Sequence, residues 1–225
     1  MNAAPRIGVI HTSPATVDLF GRLLRARIPG ATVINLLDDS ILPELHDNGG
    51  DLAAVEPRWR DYARIISGQG VDIILNACSS IGELCARVQT DVPQRIVRVD
   101  AAMAREAVRR GGRIAVVATL STTLRPTSEI VVQTADALGE TVLLESTLVD
   151  GAYPALIAGD PARHDELVAA ALKRAIHAND VVVLAQASMA RALPGLPEAD
   201  RAKVLASPSF AVEDVAAGLA TTGAA

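Results

Sequence analysis

Two segments of the chain repeat each other at a fixed distance, and this internal echo restricts the fold more than any other feature. "IGVIHTS", residues 7 to 13, lines up with "IAVVATL", residues 114 to 120, and sets Thr12 against Thr119 at an offset of 107. "DIILNACSS", residues 72 to 80, lines up with "DVVVLAQAS", residues 180 to 188, and sets Asp72 against Asp180 and Cys78 against Gln186 at an offset of 108. Two separated blocks that agree to within one residue read as a duplicated unit with equivalent strands and equivalent strand-end loops.

The apolar runs indicate what the unit is. "RIGVI", "ATVINLL", "VDIILNA" and "RIVRV", then "RIAVVA", "TVLLES" and "NDVVVLA", alternate with helical patterns. That alternation is the pattern of a parallel sheet wrapped by crossover helices. The first helix is expected to open with Ser13 as N-cap and Pro14 at its first position, with Val17, Phe20, Leu24 and Ile28 on one face. A chain of 225 residues that is 50% hydrophobic and only 2% aromatic supplies an aliphatic core for one large domain or two small ones. The expected fold is therefore α/β: two pseudosymmetric domains, each a mostly parallel sheet flanked by helices, with the active-site cleft between them.

Composition excludes several partners. A net charge of -5 with scattered arginines gives no basic stripe for nucleic acid. The opening "MNAAPRIGVIH" lacks a basic start and an apolar run, and no segment approaches the roughly 20 apolar residues of a membrane span, so a cytoplasmic protein without a membrane partner is expected. The two cysteines, Cys78 and Cys85, lie seven apart, which in a reducing compartment argues for free thiols rather than a disulfide. No GxGxxG, P-loop or metal-ligand spacing is present, so the expected chemistry uses no cofactor and no metal.

In open α/β sheets ligands bind outside the carboxyl ends of the strands, where both Thr12/Thr119 and Cys78/Gln186 fall. Ser80, with Glu83 three residues on, reads as a capping box. The helix start beside Cys78 is expected to favour the thiolate over a thiol of reference pKa about 8.5. The same N-H groups, with the Ser79 and Ser80 hydroxyls, can hold a carboxylate. Packing as a small buried residue is the alternative role for Cys78, and it is the role expected for Cys85 in "GELCAR".

Other candidates surround these. Ser121, Thr122, Thr123 and Arg125 in "ATLSTTLRPT" can donate to an acidic ligand, although a loop followed by a helix N-cap explains them equally well. His11 can reach the cleft as donor or acid, or be structural. Asn76 and Ser188 complete the candidate substrate-binding set with Thr12, Ser79, Ser80, Thr119, Thr122 and Thr123. His164 and His177 are expected as solvated helix residues, and His46 in a polar, lid-like loop, "PELHDNGGD".

"NACSSIGE", "RVDAAMAREAVRRGGRIAVVAT" and "VLASPSFAVEDV" together resemble the aspartate/glutamate racemase superfamily, which includes hydantoin racemases, maleate isomerases and arylmalonate decarboxylases. The resemblance implies two domains: residues 1–98 with a C-terminal helix at 205–225, carrying Cys78, and residues 99–204, carrying Gln186. It also implies cofactor-independent carbon-acid chemistry on a small carboxylate, and a homo-oligomer. In the racemases of this group a cysteine from each domain faces the substrate carbon. Here Cys78 matches the first, and the second falls on Gln186 in "LAQASM".

An amide cannot serve as the opposing acid or base. The expected enzyme is thus an isomerase, more than a carboxy-lyase, that works with one thiol while Gln186 donates to a carboxylate or oxyanion. A lone thiol can transfer a proton on one face or add to an activated double bond. The alternatives are a true amino-acid or hydantoin racemase with a non-cysteine second base such as His11, and a cytoplasmic small-acid-binding protein without catalysis.

Overall fold

The computed structural model describes residues 4–222; residues 1–3 and 223–225, the latter ending the expected C-terminal helix, lie outside them. The chain divides into two compact units. One holds the described residues up to Val99 together with those from Pro208 onward; the other is Asp100–Ser207.

The first unit contains β1 (Arg6–His11), α1 (Ala15–Arg27), β2 (Thr32–Leu37), α2 (Ile41–Asp47), α3 (Glu56–Ser67), β3 (Ile73–Asn76), α4 (Leu84–Val88) and β4 (Ile96–Arg98). The second contains α5 (Ala101–Arg110), β5 (Arg113–Ala118), α6 (Ser121–Leu138), β6 (Leu143–Leu148), α7 (Ala152–Ile157), α8 (Pro161–Ala178), β7 (Val181–Leu184), α9 (Glu198–Arg201) and β8 (Val204–Ala206). The last helix, α10 (Ser207–Thr222), belongs to the first unit but for its opening residue.

Each unit is built on a four-stranded parallel sheet, ordered β2-β1-β3-β4 in one and β6-β5-β7-β8 in the other. The registers match as well: Ile7 pairs with Ile73 and Ile114 with Val181, then Ile10 with Asn76 and Val117 with Leu184. Corresponding contacts close the lower ends of the sheets. Asp72 accepts the Arg6 N-H at 2.7 Å, and Asp180 accepts the Arg113 N-H at 3.0 Å. The duplication read from the sequence is thus present in strand order, in register and in individual hydrogen bonds. The seven strands expected are all found, and an eighth, β8, lies in "VLA", a run too short for its alternation to register as a strand.

Period-two alternation sends successive β-strand side chains to opposite faces. In the first sheet Ile10, Ile74 and Ile96 pack with Trp59 of α3, Leu45 of α2, Ile81 of the turn before α4 and Leu84 of α4. Ile7, Val9, Ile73, Leu75 and Val97 pack with Phe20 and Leu24 of α1 and with Ala211, Val212 and Val215 of α10. In the second sheet Ala115, Val117, Val182 and Leu184 pack with Val168, Leu172 and Ile176 of α8. The α1 face is the expected one, with Phe20 and Leu24 fully buried.

Three local expectations are corrected. Helix α1 begins at Ala15, with Pro14 rather than Ser13 at the cap position and no side-chain cap bond; Ser13 contributes its backbone carbonyl, which accepts from Thr16 N-H and Oγ1-H. The first five residues of the "lid" segment, Pro43–Asp47, belong to α2, which is anchored by fully buried Ile41 and nearly buried Leu45, because those two apolar residues four apart make one helical face. His164 is not solvated: it is fully buried, with Nδ1 2.8 Å from Asp165 Oδ1.

Candidate active site

Strand β3 ends at Asn76, and the chain runs extended through Cys78 (φ -134°, ψ 119°) into a single 3-10 turn, Ser79–Ile81. Strand β7 ends at Leu184, and the chain runs extended through Gln186 (φ -128°, ψ 142°) into a 3-10 segment, Ala187–Gly195. Cys78 and Gln186 therefore hold the same place, the cap residue of a 3-10 turn at the carboxyl end of the third strand in each sheet. Both turns open next to the end of the first strand, where Thr12 and Thr119 lie.

Each threonine meets the cap residue of its own unit, with different bonds. The Thr12 hydroxyl, the Ser80 hydroxyl and the backbone N-H groups of Ser80 and Ile81 gather at the Cys78 sulfur, each favouring the thiolate. In the other unit Gln186 Nε2 donates to Thr119 Oγ1 at 3.1 Å, and the Thr119 N-H donates to Gln186 Oε1 at 2.9 Å. A two-bond ring fixes the Gln186 amide, and Oγ1, already an acceptor in it, keeps its own hydrogen to donate elsewhere.

The electrostatics of Cys78 correct the sequence reading. Burial pushes the thiol up from its ordinary value, and this outweighs the donors around the sulfur. Cys78 is 8% exposed, so the charged form loses most of its hydration. Ser80 is not the cap residue of a helix, as the capping-box reading had it. Ser80 lies inside the 3-10 turn, and α4 has five residues with no side-chain cap at Glu83, too short a helix to supply a large dipole. The thiol rests protonated at neutral pH, with its thiolate-stabilising donors in place.

Asn76 is fully buried, and its Nδ2 donates to the Cys78 carbonyl at 2.9 Å. Ser79 and Ser80 are buried beside the thiol, and Thr119 and Thr123 are buried in the second unit. Thr122 and Ser188 are partly exposed. Helix α6 begins at Ser121, directly after Thr119 and Leu120, so Ser121, Thr122 and Thr123 form its first turn, and Arg125 pairs with Glu129 at 2.9 Å. Cys85 is buried in the apolar layer of α3 and α4, as expected, and neither cysteine forms a disulfide.

His11 leaves the sheet on the side opposite Ile10, with its ring centroid 6.4 Å from that of Phe20 on α1. Nδ1 lies 2.7 Å from Thr16 Oγ1 and Nε2 3.0 Å from Asn35 Oδ1. Both ring nitrogens are thus engaged within the first unit. Burial holds the imidazole pKa below its usual 6.5, against the opposing pull of Asn35.

One neighbour of the thiol turn escaped the sequence reading. Arg98, at the end of β4, lies over Gly82, and a Cβ on that glycine would stand 2.6 Å from the guanidinium carbon. "RIVRV" was legible only as a strand; the glycine closing "CSSIG" is the signal that another group approaches that turn closely.

Residues 7–215 match the family model described as Asp/Glu/Hydantoin racemase. The chain belongs to that family. No protein with a curated description is detectably similar to it in sequence. Among solved structures it is similar to glutamate racemase RacE1 from Bacillus anthracis, with 15% identity and a TM-score of 0.78 over 99% of this chain and 84% of that one. Allantoin racemase from Klebsiella pneumoniae has 21% identity and a TM-score of 0.66, covering 96% of this chain and 88% of that one. Arylmalonate decarboxylase has 16% identity and a TM-score of 0.63, covering 96% and 92%. At these identities the structural likeness establishes the fold, and the family match makes the protein an enzyme of the racemase superfamily.

Proposed function

We propose that the protein is a cofactor-independent isomerase of this superfamily that performs carbon-acid chemistry on a small carboxylate with Cys78 as its single reacting thiol. The observation that carries the reading is the equivalence of the Thr12–Cys78 and Thr119–Gln186 pairs, which places a thiol at one strand end and a clamped amide at the other. The Thr119 hydroxyl and the Gln186 amide hydrogen not used in the ring donate to carboxylate or enolate oxygens, as do the Ser79 and Ser80 hydroxyls.

In the proposed step the Cys78 thiol first gives its proton to solvent water, and the thiolate so formed takes a proton from the carbon next to the carboxylate. The C-H bonding pair becomes the π bond of an enediolate, and the thiol formed returns the proton to the same face or to a conjugated atom. Gln186 has no titratable proton, so no partner supplies one to the opposite face. His11 does not fill the role, because both of its ring nitrogens are engaged with Thr16 and Asn35.

A second reading is favoured by the protonated resting thiol: Cys78 first donates a proton to a carbanion left by loss of carbon dioxide, which would make the enzyme a carboxy-lyase. Incubation with malonates, hydroxy acids, amino acids and hydantoins separates the two by product. Turnover that disappears in Cys78→Ala supports the thiol assignment, and turnover that survives the substitution rejects it.

A further inference from the structure

The basic residue that precedes the last strand of each sheet is treated differently in the two units. Arg95 precedes β4 and Lys203 precedes β8, and their carbonyls accept from the equivalent N-H groups of Ile74 and Val182 at 3.0 and 2.9 Å. In the first unit Asp214 of α10 meets the Arg95 guanidinium at 2.7 Å. In the second unit, among the described residues, no acidic side chain forms an ion pair with Lys203. Its Nζ donates instead to the Ile176 and Asn179 carbonyls at the end of α8, at 3.3 and 3.5 Å, and so covers the negative end of that helix.

Lys203 also opens onto a cavity of about 220 Å³, lined in addition by Lys173, Ile176, His177 and Asp200. Of the chain's 21 lysines and arginines only Lys173 and Lys203 are lysines, and both line this cavity. Lys173 and His177 stand four apart on the last two turns of α8, so they are neighbours on one helix face. Among the described residues neither has a side-chain hydrogen bond or an ion pair. Arginines of the same unit are matched by acids: Arg110 by Glu106, Arg163 by Glu166 and Arg191 by Asp165.

The charge around the cavity favours an anion. Two ammonium groups and an imidazole line it together with one carboxylate, Asp200. Asp180 adds little, because the Arg113 guanidinium holds it at 3.1 Å; Arg113 first, and Lys203 after it, keep that carboxyl below its usual range. An ammonium is a compact charge with rotatable donors, which suits an oxyanion approached from several sides. The cavity lies where β7 and β8 begin, at the opposite edge of the sheet from Thr119 and Gln186.

We propose that this cavity is a second ligand site, for a small oxyanion, a phosphate or a carboxylate, held by Lys173 Nζ, by the Lys203 hydrogen not used on α8 and by the His177 ring. Asp200 can accept from a protonated oxygen of the anion. The site is independent of the reaction proposed for Cys78.

The two lysines make the test direct. Methylation of their amines with a ¹³C label keeps the charge and gives each lysine its own NMR signal, which Lys173→Gln assigns by deletion. Inorganic phosphate and, separately, acetate are titrated into the whole protein at an ionic strength held constant with chloride, which removes general screening. Both lysine signals and the His177 ring signals are expected to move together and to saturate with one dissociation constant on the order of millimolar. Saturation by phosphate identifies a phosphate-bearing ligand, and saturation by acetate alone a carboxylate.

Lys173→Gln, on an exposed helix face, should weaken binding about fivefold to tenfold. Lys203→Gln should do the same, and Lys173→Gln carries the test alone if loss of the contacts to α8 prevents the Lys203 variant from folding. Cys78→Ala should bind as the parent does. Signals that do not saturate with either anion, movement that chloride alone reproduces, or parent affinity in Lys173→Gln overturns the proposal.

Discussion

Gln186 and Thr119 hold each other by two hydrogen bonds, Nε2 to Oγ1 at 3.1 Å and N-H to Oε1 at 2.9 Å. Gln186→Glu keeps the second and destroys the first, because a carboxylate only accepts. The Thr119 hydroxyl then turns its hydrogen to the carboxylate and away from the substrate, and a negative charge joins the turn. On any carboxylate that turns over, kcat/KM is expected to fall on the order of tenfold to a hundredfold, the loss of one or two charge-assisted hydrogen bonds. Steady-state kinetics of the variant check this; an unchanged kcat/KM would remove Thr119 and Gln186 from substrate binding.

The two thiols should differ in reactivity although both are buried. Cys78 has the Thr12 and Ser80 hydroxyls and two N-H groups at its sulfur, whereas Cys85 lies in the apolar layer of α3 and α4. Iodoacetamide is expected to label Cys78 faster than Cys85. Because burial raises the Cys78 pKa, the rate should keep climbing as pH rises past the ordinary thiol value of 9.0 instead of levelling off below it. A small dicarboxylate should protect Cys78. Equal, slow labelling of both would mean a structural cysteine.

His11 sets a stability limit on the acid side. Its folded pKa lies below the unfolded 6.5 because burial penalises the imidazolium. The unfolded chain therefore binds the proton first, and stability falls as pH drops from about 6.5 toward the folded value. Urea titrations at pH 7.5 and 5.5 should show the loss, and His11→Gln, which cannot titrate, should show less of it. Equal losses in both proteins would place the acid sensitivity elsewhere.

Two adjacent glycines should respond unequally to the same change. A Cβ on Gly111 would stand 2.6 Å from Asp180 Cβ, the base of the side chain that accepts the Arg113 N-H, whereas a Cβ on Gly112 meets only Thr141 O at 3.7 Å. Gly111→Ala is expected to cost about 1–3 kcal/mol through the forced shift. Gly112→Ala should be close to neutral. Denaturation midpoints of the pair decide it, and similar midpoints would contradict the close approach of Asp180.

What the sequence disclosed follows from the range of the interactions involved. The strands and the equivalence of the two halves were legible because they depend on apolar periodicity and on a duplication visible at two offsets. The pairing of Thr12 with Cys78 and of Thr119 with Gln186 was legible only as co-location at a strand end. The Gln186–Thr119 ring, the Arg98 approach to Gly82 and the burial that raises the Cys78 thiol were not, since each is set by residues distant in sequence. Ser80 and Glu83 had capping-box spacing, but Ser80 lies inside a 3-10 turn and Glu83 itself takes the cap position of α4. His164 had a charged neighbour on each side, which suggested solvent, yet its own helix turns it into the interior.

Solvent deuterium tests the one-thiol account most directly. A single enantiomer of the carboxylate that proves to be a substrate, incubated in deuterium oxide and followed by proton NMR and chiral chromatography, reports both loss of the α-proton and inversion. The account predicts exchange without loss of optical activity in the parent and no exchange in Cys78→Ala. Full racemisation by the parent, or exchange that survives removal of Cys78, would contradict it.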